Sequence, residues 1–475
     1  MKSFKLTNNI FGWIAFAIAA VTYLLTIEPT ASFWDCPEFI TNAYNLEVGH
    51  PPGAPFFMLM GRFFSLFASD PSHVAAMVNS LSALASAFTI LFLFWTITRL
   101  ARKIITPTDG TYNLGQTIGI IGAALVGALA YTFSDSFWFS AAEGEVYASS
   151  SFFTAIVFWA ILKWEDVADQ PLADRWLILI AYLMGLSIGV HLLNLLAIPA
   201  IGLVYYFKKF NATAKGTIIA FIASMGVLGV LMYGLIPGVI EVASWFDLFF
   251  VNNLGMSFNS GVLFYCALLL SSLVWSIYET FEGKNPIRIK ISFILAIALL
   301  GIPFIGESIV LGVLIILGLT VVFYVVKEIN ICLLNTILIV LTAVVIGYSS
   351  YAIIVIRSSA NPPMDQNSPE NIFALQSYLN REQYGDRPLI YGPYYNAEVK
   401  REVKGEYCAP VVKEGKTLWT PKEKINPTDK DTYIISGKKQ EYVYDDKFCT
   451  LFPRMWSPQQ NHISGYKDWA EVVGN

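Results

Sequence analysis

Long apolar stretches alternate with short polar ones over the first three quarters of the chain. Their length suits a bilayer, because a spanning helix needs about 20 predominantly apolar residues. The pattern predicts eleven spans, near 10–27, 77–98, 117–133, 147–162, 176–190, 192–207, 217–236, 259–278, 290–303, 308–326 and 332–355. Two of these divisions rest on flanking charge. The apolar run 176–207 is too long for one span and has Arg175 before it and Lys208 and Lys209 after it, so it reads as a hairpin with His191 near its tip. The run 291–326 lies between Lys290 and Lys327 and is broken by Pro303, Gly306 and Glu307, which supply a turn and remove helix hydrogen bonds. The segment 54–67, with Phe56, Phe57, Met58, Met60, Phe63, Phe64 and Phe67, reads as an interfacial helix lying on the membrane surface.

Charge supplies the orientation. With eleven spans, Lys2, Lys5, Arg99, Arg102, Lys103, Lys163, Arg175, Lys208, Lys209, Lys215, Lys284, Arg288, Lys290 and Lys327 share one side, and the other side up to residue 356 keeps only Arg62. The excess of Lys and Arg on cytoplasmic loops then places the N-terminus in the cytoplasm and residues 357–475 outside. Those last residues carry as many acidic as basic groups, 16 of each, and have an ordinary soluble composition. The expected organisation is therefore a transmembrane domain over 1–356 and an extracytoplasmic domain over 357–475, in a multi-pass protein of the inner, cytoplasmic membrane. Lys2 and Lys5 before an apolar run could mimic a signal peptide, but 18 apolar residues from Ile10 to Ile27 suit an uncleaved first helix better.

Composition agrees. Hydrophobic residues make up 55% of 475 and charged ones only 14%, where a soluble domain is about a quarter charged. The net charge of −4 leaves no footprint for nucleic acid, and five cysteines are too few for a disulfide framework.

The outer face is rich in carboxylates and poor in cations, and its motifs gather in three places. The first is Phe33-Trp34-Asp35-Cys36-Pro37-Glu38-Phe39, followed by Gly49-His50-Pro51-Pro52-Gly53. If Pro37 opens a helix, Asp35 or Cys36 is the N-cap and Glu38 falls in the first turn. The paired carboxylates could then divide base and orienting roles, while simple capping explains an Asp there without catalysis. The second is Glu143-Gly144-Glu145-Val146-Tyr147, whose bland reading is a helix-start acid beside an interfacial aromatic. The third is Gly189-Val190-His191-Leu192-Leu193-Asn194, where a histidine at membrane depth is costly unless paired or facing a cavity. Zinc spacing, a phosphate-binding loop and a dinucleotide fingerprint are all missing, so no residue is assigned to a metal, although the acids are compatible with a divalent cation.

These three segments, with Arg357-Ser-Ser-Ala-Asn-Pro-Pro and Tyr378-Leu-Asn-Arg-Glu-Gln-Tyr384-Gly further on, resemble the bacterial membrane family known as domain of unknown function 2723. That family is similar to the transmembrane protein O-mannosyltransferases within the GT-C glycosyltransferases. The resemblance covers residues 10 to about 400. It implies a many-helix enzyme with its active site on the outer face, a polyprenyl-phosphate sugar (mannose above all) as donor, and the hydroxyl of a translocated protein as acceptor. It assigns Asp35 as the first-loop catalytic aspartate and Glu38 as its acidic companion, and makes Glu143, Glu145, Tyr147, His191 and Asn194 motif positions. A departing phosphate needs cationic or hydrogen-bonding partners, and the outer face offers Arg62, His50, His191 and Arg357. A lipid or glycan acceptor is the rival within the enzyme class, a transporter is a more distant reading, and a non-enzymatic scaffold is a third. Related chains often continue well past the point where this one stops, so it is expected to be a short member or a piece of a longer protein.

The tail itself reads as a helix over 369–383 and strands at 388–391, 432–436 and 441–444. Cys408 and Cys449 both lie outside, where they could pair or remain separate thiols. The fold class is thus mainly α: about eleven spans in a GT-C-like arrangement plus a small α/β segment.

Overall fold

A computed structural model describes residues 2–471, apart from 106, 108–110, 327–328, 386–387, 389, 396, 405–406, 427, 454–456 and 458. Lys327 lies outside the described residues, as do the side chains of Lys2 and Glu307. Two compact units divide the chain, the first made of residues 1–247 and 261–380, the second of 248–260 and 381–475.

The helices are α1 (Lys2–Leu25), α2 (Cys36–Asn45), α3 (Pro55–Ser65), α4 (Val74–Ile104), α5 (Leu114–Thr132), α6 (Asp135–Ala142), α7 (Val146–Val167), α8 (Arg175–Ile188), α9 (Ile198–Lys209), α10 (Ala214–Val230), α11 (Ile236–Asn252), α12 (Ser260–Glu282), α13 (Pro286–Leu299), α14 (Ile309–Val325), α15 (Ile331–Tyr348), α16 (Ala352–Ser358), α17 (Ile372–Leu379) and α18 (Gln460–Trp469). Eight helical stretches among the described residues are long and apolar enough to cross a membrane, and α8 and α14 are shorter apolar helices. The protein is a multi-pass membrane protein.

Both proposed hairpins have the expected breaks. After α8, the chain is extended at His191 and resumes as a short 3-10 turn, Leu192–Ala197, before α9. Between α13 and α14, Gly301 and Gly306 both take a positive φ beside Pro303. Residues 237–252, which fall between the expected spans 217–236 and 259–278 and so were expected to be loop, are helical instead. A π-helical turn, Leu231–Leu235, joins α10 to α11, and the continuing helix carries Glu241 and Asp247 inward, where both are buried. Their charge is answered locally: Trp245 and Gln376 donate to Glu241, and the Gly261 amide donates to Asp247 at 2.9 Å.

Lipid tails are as apolar as leucine, so helices in a bilayer gain from close backbone approach. Gly185 on α8 and Gly347 on α15 show it, since a Cβ on either would run into the backbone of the other helix. At one end of the first unit, Arg99 pairs with Asp166, Lys103 with Glu165 and Lys208 with Asp169, binding α4, α7 and α9 together. At the other end, Asn79 on α4 donates to the carbonyls of Glu28 at 2.6 Å and Thr30 at 3.0 Å, fastening the first polar loop.

The residues from 357 to 380 belong to the first unit although their composition is that of the tail. The second unit holds three antiparallel strand pairs among its described residues. They are Tyr391–Pro393 with Cys449–Leu451, Arg401–Lys404 with Tyr407–Pro410, and Val412–Pro421 with Tyr433–Tyr442. The last strand runs through both segments expected as separate strands, and the expected helix 369–383 is the shorter α17. Cys408 and Cys449 are free thiols.

Candidate functional site

The site is built at the N-terminal end of α2. Asp35 is the N-cap residue and Pro37 sits in the first turn, where its missing N–H costs nothing. The Asp35 side chain makes no capping bond and is 57% exposed. It is therefore available to solvent or substrate. Phe33 and Trp34 beside it are exposed as well.

One turn along, Glu38 is committed to the loop that follows α2. Its Oε1 accepts both the His50 amide at 2.6 Å and the His50 Nδ1–H at 2.9 Å. Burial alone would raise the Glu38 carboxyl, but these two hydrogen bonds and the histidine charge hold it below its ordinary range. The other ring nitrogen of His50, Nε2, lies 3.9 Å from Asp35 Oδ2. The imidazole thus spans the two carboxylates, oriented by one and facing the other.

Gly49 makes this possible. A Cβ there would come within 2.5 Å of Glu38 Oε1 and of the Asn42 amide, so only glycine lets the loop close on the carboxylate. The loop is also held from beneath. Tyr378, fully buried on α17, donates to the Gly49 carbonyl at 2.7 Å. The Val48 amide donates to the Met364 carbonyl at 3.0 Å, and the Gln366 amide returns to Val48 at the same distance.

The second constellation meets the first. Gly144 packs against Asn79 and Ile40, and a Cβ there would stand 2.8 Å from Asn79 Oδ1. This places Glu143 and Glu145, both buried, in the field of α2. Burial, then the charges of Glu143 and Asp35, push Glu145 up to about 7, against the opposing pull of His50. Burial also raises Glu143, with a hydrogen bond from Ser32 opposing it, and its Oε2 has no hydrogen-bond partner. Glu145 is thereby poised to exchange protons near neutrality.

Tyr147 follows in the first turn of α7 and feels the charges of Glu145, Asp35 and Glu143. Its ring lies 5.6 Å from that of His191, whose Nδ1 accepts the Leu193 amide at 3.2 Å. Tyr147 also heads a cavity of about 680 Å³ between α4, α5 and α7, which runs past Ser150, Thr154 and Phe158 with a mostly apolar lining.

Other expected residues are placed differently. Asn194 is buried, donates to Ser187 Oγ at 2.6 Å and accepts from Thr154 at 3.1 Å, so it fastens α7 and α8 to the hairpin tip. Arg62 Nη1 donates to the Tyr44 carbonyl at 2.6 Å, and Arg357 Nε donates to the Leu46 carbonyl at 2.6 Å. Both arginines answer the orphan carbonyls and negative dipole at the C-terminus of α2, about 15 Å along the helix from Asp35. Asn79, Gly49 and Tyr378 build the site without having been assigned a role in it. Gly49 and Tyr378 had a signal, each as the first residue of a quoted motif, and Asn79 had none. Asp35, Glu38 and His50 bring one ligand atom each within 4.8 Å of one another, a donor set that a divalent cation could use.

Residues 35–214 match the family model described as the protein O-mannosyl-transferase TMEM260 N-terminal domain, and residues 385–475 match a family of unknown function, DUF8416. The first match opens at Asp35 and contains every expected site residue except Arg357. Among curated proteins, "Protein O-mannosyl-transferase TMEM260" of Mus musculus is 29% identical over 36% of this chain and 22% of its own length. "Protein O-mannosyl-transferase tmem260" of Dictyostelium discoideum is 25% identical over 30% of this chain and 16% of its own. The matched region spans less than a quarter of either relative's length. No solved structure matches. The chain resembles the transmembrane protein O-mannosyltransferases.

Proposed function

We propose that this protein is a membrane glycosyltransferase of GT-C type that moves mannose from a polyprenyl-phosphate donor to a Ser or Thr hydroxyl of a protein on the outer face of the membrane. The observation that carries the reading is the exposed Asp35 carboxylate facing His50, one helix start away from a long apolar cavity. A polyprenyl chain suits that cavity, with its phosphate at the Tyr147 end beside His191 and its sugar toward Asp35. Asp35 takes the proton of the acceptor hydroxyl as the oxygen bonds to the anomeric carbon. The bond from that carbon to the phosphate oxygen breaks, and polyprenyl phosphate departs with the electron pair. Glu38 acts as its companion by fixing His50. Among the cationic or hydrogen-bonding groups considered for the phosphate, His50 and His191 are at hand, His191 as a neutral ring that accepts at Nδ1 and can donate from Nε2, while Arg62 and Arg357 are occupied at the far end of α2. A divalent cation at Asp35, Glu38 and His50 would supply further charge.

The proposed orientation has eleven spans, a cytoplasmic N-terminus and residues 357–475 on the outer side of the inner membrane. It is supported by the ion pairs that gather Arg99, Lys103 and Lys208 at one end while the carboxylates of the site gather at the other. A lipid or glycan acceptor is the second reading, since the same cavity could hold an acceptor lipid. Purified protein in lipid, given labelled polyprenyl-phosphate mannose and Ser/Thr peptides, tests both. Label on peptide supports the protein acceptor, label on lipid the second reading, and no transfer in either form contradicts the glycosyltransferase reading.

A further inference from the structure

We propose that a basic cleft at the opposite end of the first unit binds the phosphate of an anionic membrane lipid. This site is independent of the transferase reading. The cleft has a volume of about 220 Å³ and lies between the start of α1 and the last turns of α4 and α7. Lys5, Arg99, Arg102 and Lys163 line it, with Asp166 as the carboxylate among them. Lys103 and Glu165 stand beside them as a pair, so five cations meet two carboxylates.

The cations divide into two kinds. Arg99 is held by Asp166 and Glu165, and Arg102 lies over the rings of Phe4 and Tyr112, 5.4 and 5.8 Å from their centroids. These two are fixed in place. Lys5 and Lys163 form no ion pair among the described residues, and Lys163 lies 5.3 Å from the centroid of the Trp159 ring. Within the same cluster the donors Arg99 Nε–H and Trp95 Nε1–H are buried with no hydrogen-bond partner, as are the oxygens Asn8 Oδ1 and Glu165 Oε2. Five cations against two carboxylates leave an excess of positive charge, and an anion would answer both that excess and the two buried donors. Phosphate fits the set, because a guanidinium offers forked donors and an ammonium a movable point charge.

The position selects the source. Lys5 comes one residue after Phe4, where the apolar window of α1 opens, and Arg99, Arg102 and Lys163 lie in the closing turns of α4 and α7. That is the depth of the headgroups, and Trp159 in the wall suits the same layer. Basic pockets between membrane helices bind phospholipid headgroups by this chemistry. A soluble phosphate would find the same cations, without the gain from chains lying along the apolar flanks.

The test is native mass spectrometry of the full chain in detergent, titrated with phosphatidylglycerol or with phosphatidylcholine of the same acyl chains. Wild type is expected to prefer phosphatidylglycerol by about thirtyfold, the size of the contribution two lysines make near an anionic surface. Lys5→Gln with Lys163→Gln should abolish the preference, Lys163→Arg should keep it, and Lys215→Gln, in the first turn of α10, should leave it unchanged. Inorganic phosphate at millimolar concentration should not displace the lipid. Equal binding of both lipids by wild type, or an equal loss in the Lys215→Gln control, overturns the site. Displacement by phosphate overturns the lipid as its occupant. Thermal melts of each variant separate loss of binding from loss of fold.

Discussion

Tyr378 donates its hydroxyl hydrogen to the carbonyl of Gly49 at 2.7 Å, across 329 residues of sequence. Through that bond a helix from the compositionally polar tail supports the loop that carries His50. Replacing Tyr378 with Phe leaves a buried carbonyl without its donor, at a cost of about 1–2 kcal/mol. We expect a lower melting temperature for Tyr378→Phe and a reduced transfer rate, measured by thermal unfolding and by label on acceptor. Wild-type values of both would show that the loop holds itself.

Glu38 and Gly49 act through His50. Glu38→Ala removes both hydrogen bonds that orient the ring, and a reacting group displaced by about 1 Å costs on the order of 10²-fold in rate. Gly49→Ala should do the same by pushing the carboxylate away. Both variants should remain folded, with the fall in kcat rather than in KM.

Glu145 makes stability depend on pH in a stated direction. Its carboxyl rises from an ordinary 4.5 to about 7 through burial first and the charges of Glu143 and Asp35 second. The folded state therefore binds more protons than the unfolded state between those values. The contribution of the protonated group is fully present below about 4.5 and is lost as pH rises to about 7. Glu145→Gln, which cannot ionise, should melt above wild type at pH 8, with the gap closing toward pH 5. A gap independent of pH would contradict the assignment.

The crossing of α8 and α15 rests on Gly185 and Gly347. A methyl group on either meets backbone that cannot swing away, so overpacking of about 1–3 kcal/mol is expected for Gly347→Ala. Thermal unfolding in detergent measures it.

Much of this was legible along the chain. Length and hydropathy located the apolar helices, of which eight among the described residues are long and apolar enough to cross a membrane against the eleven expected, and the runs at 176–207 and 291–326 are each interrupted. Asp35, Glu38 and His50 stood together as a motif because the residues that meet are close in sequence. The union of that motif with Glu143 and Glu145 was not legible, since it depends on Asn79 and on the missing side chain of Gly144, neither of which has a charge to notice. Arg62 and Arg357 were visible as rare outer cations, but scarcity says nothing of direction, and the open carbonyls of α2 claim both. Glu241 and Asp247 fell between the expected spans 217–236 and 259–278, because the π-helical turn that carries the helix on through them leaves no mark in hydropathy.

The most direct test is the rate of mannose transfer by Asp35→Asn, which keeps the size and polarity of the side chain but removes its capacity to take a proton at neutral pH. Measured beside wild type at saturating donor and peptide, with melting temperatures in parallel, the rate should fall by about 10²–10⁴-fold at unchanged stability. A variant that transfers mannose at the wild-type rate would contradict the account, because no carboxylate at Asp35 would then be needed for the reaction.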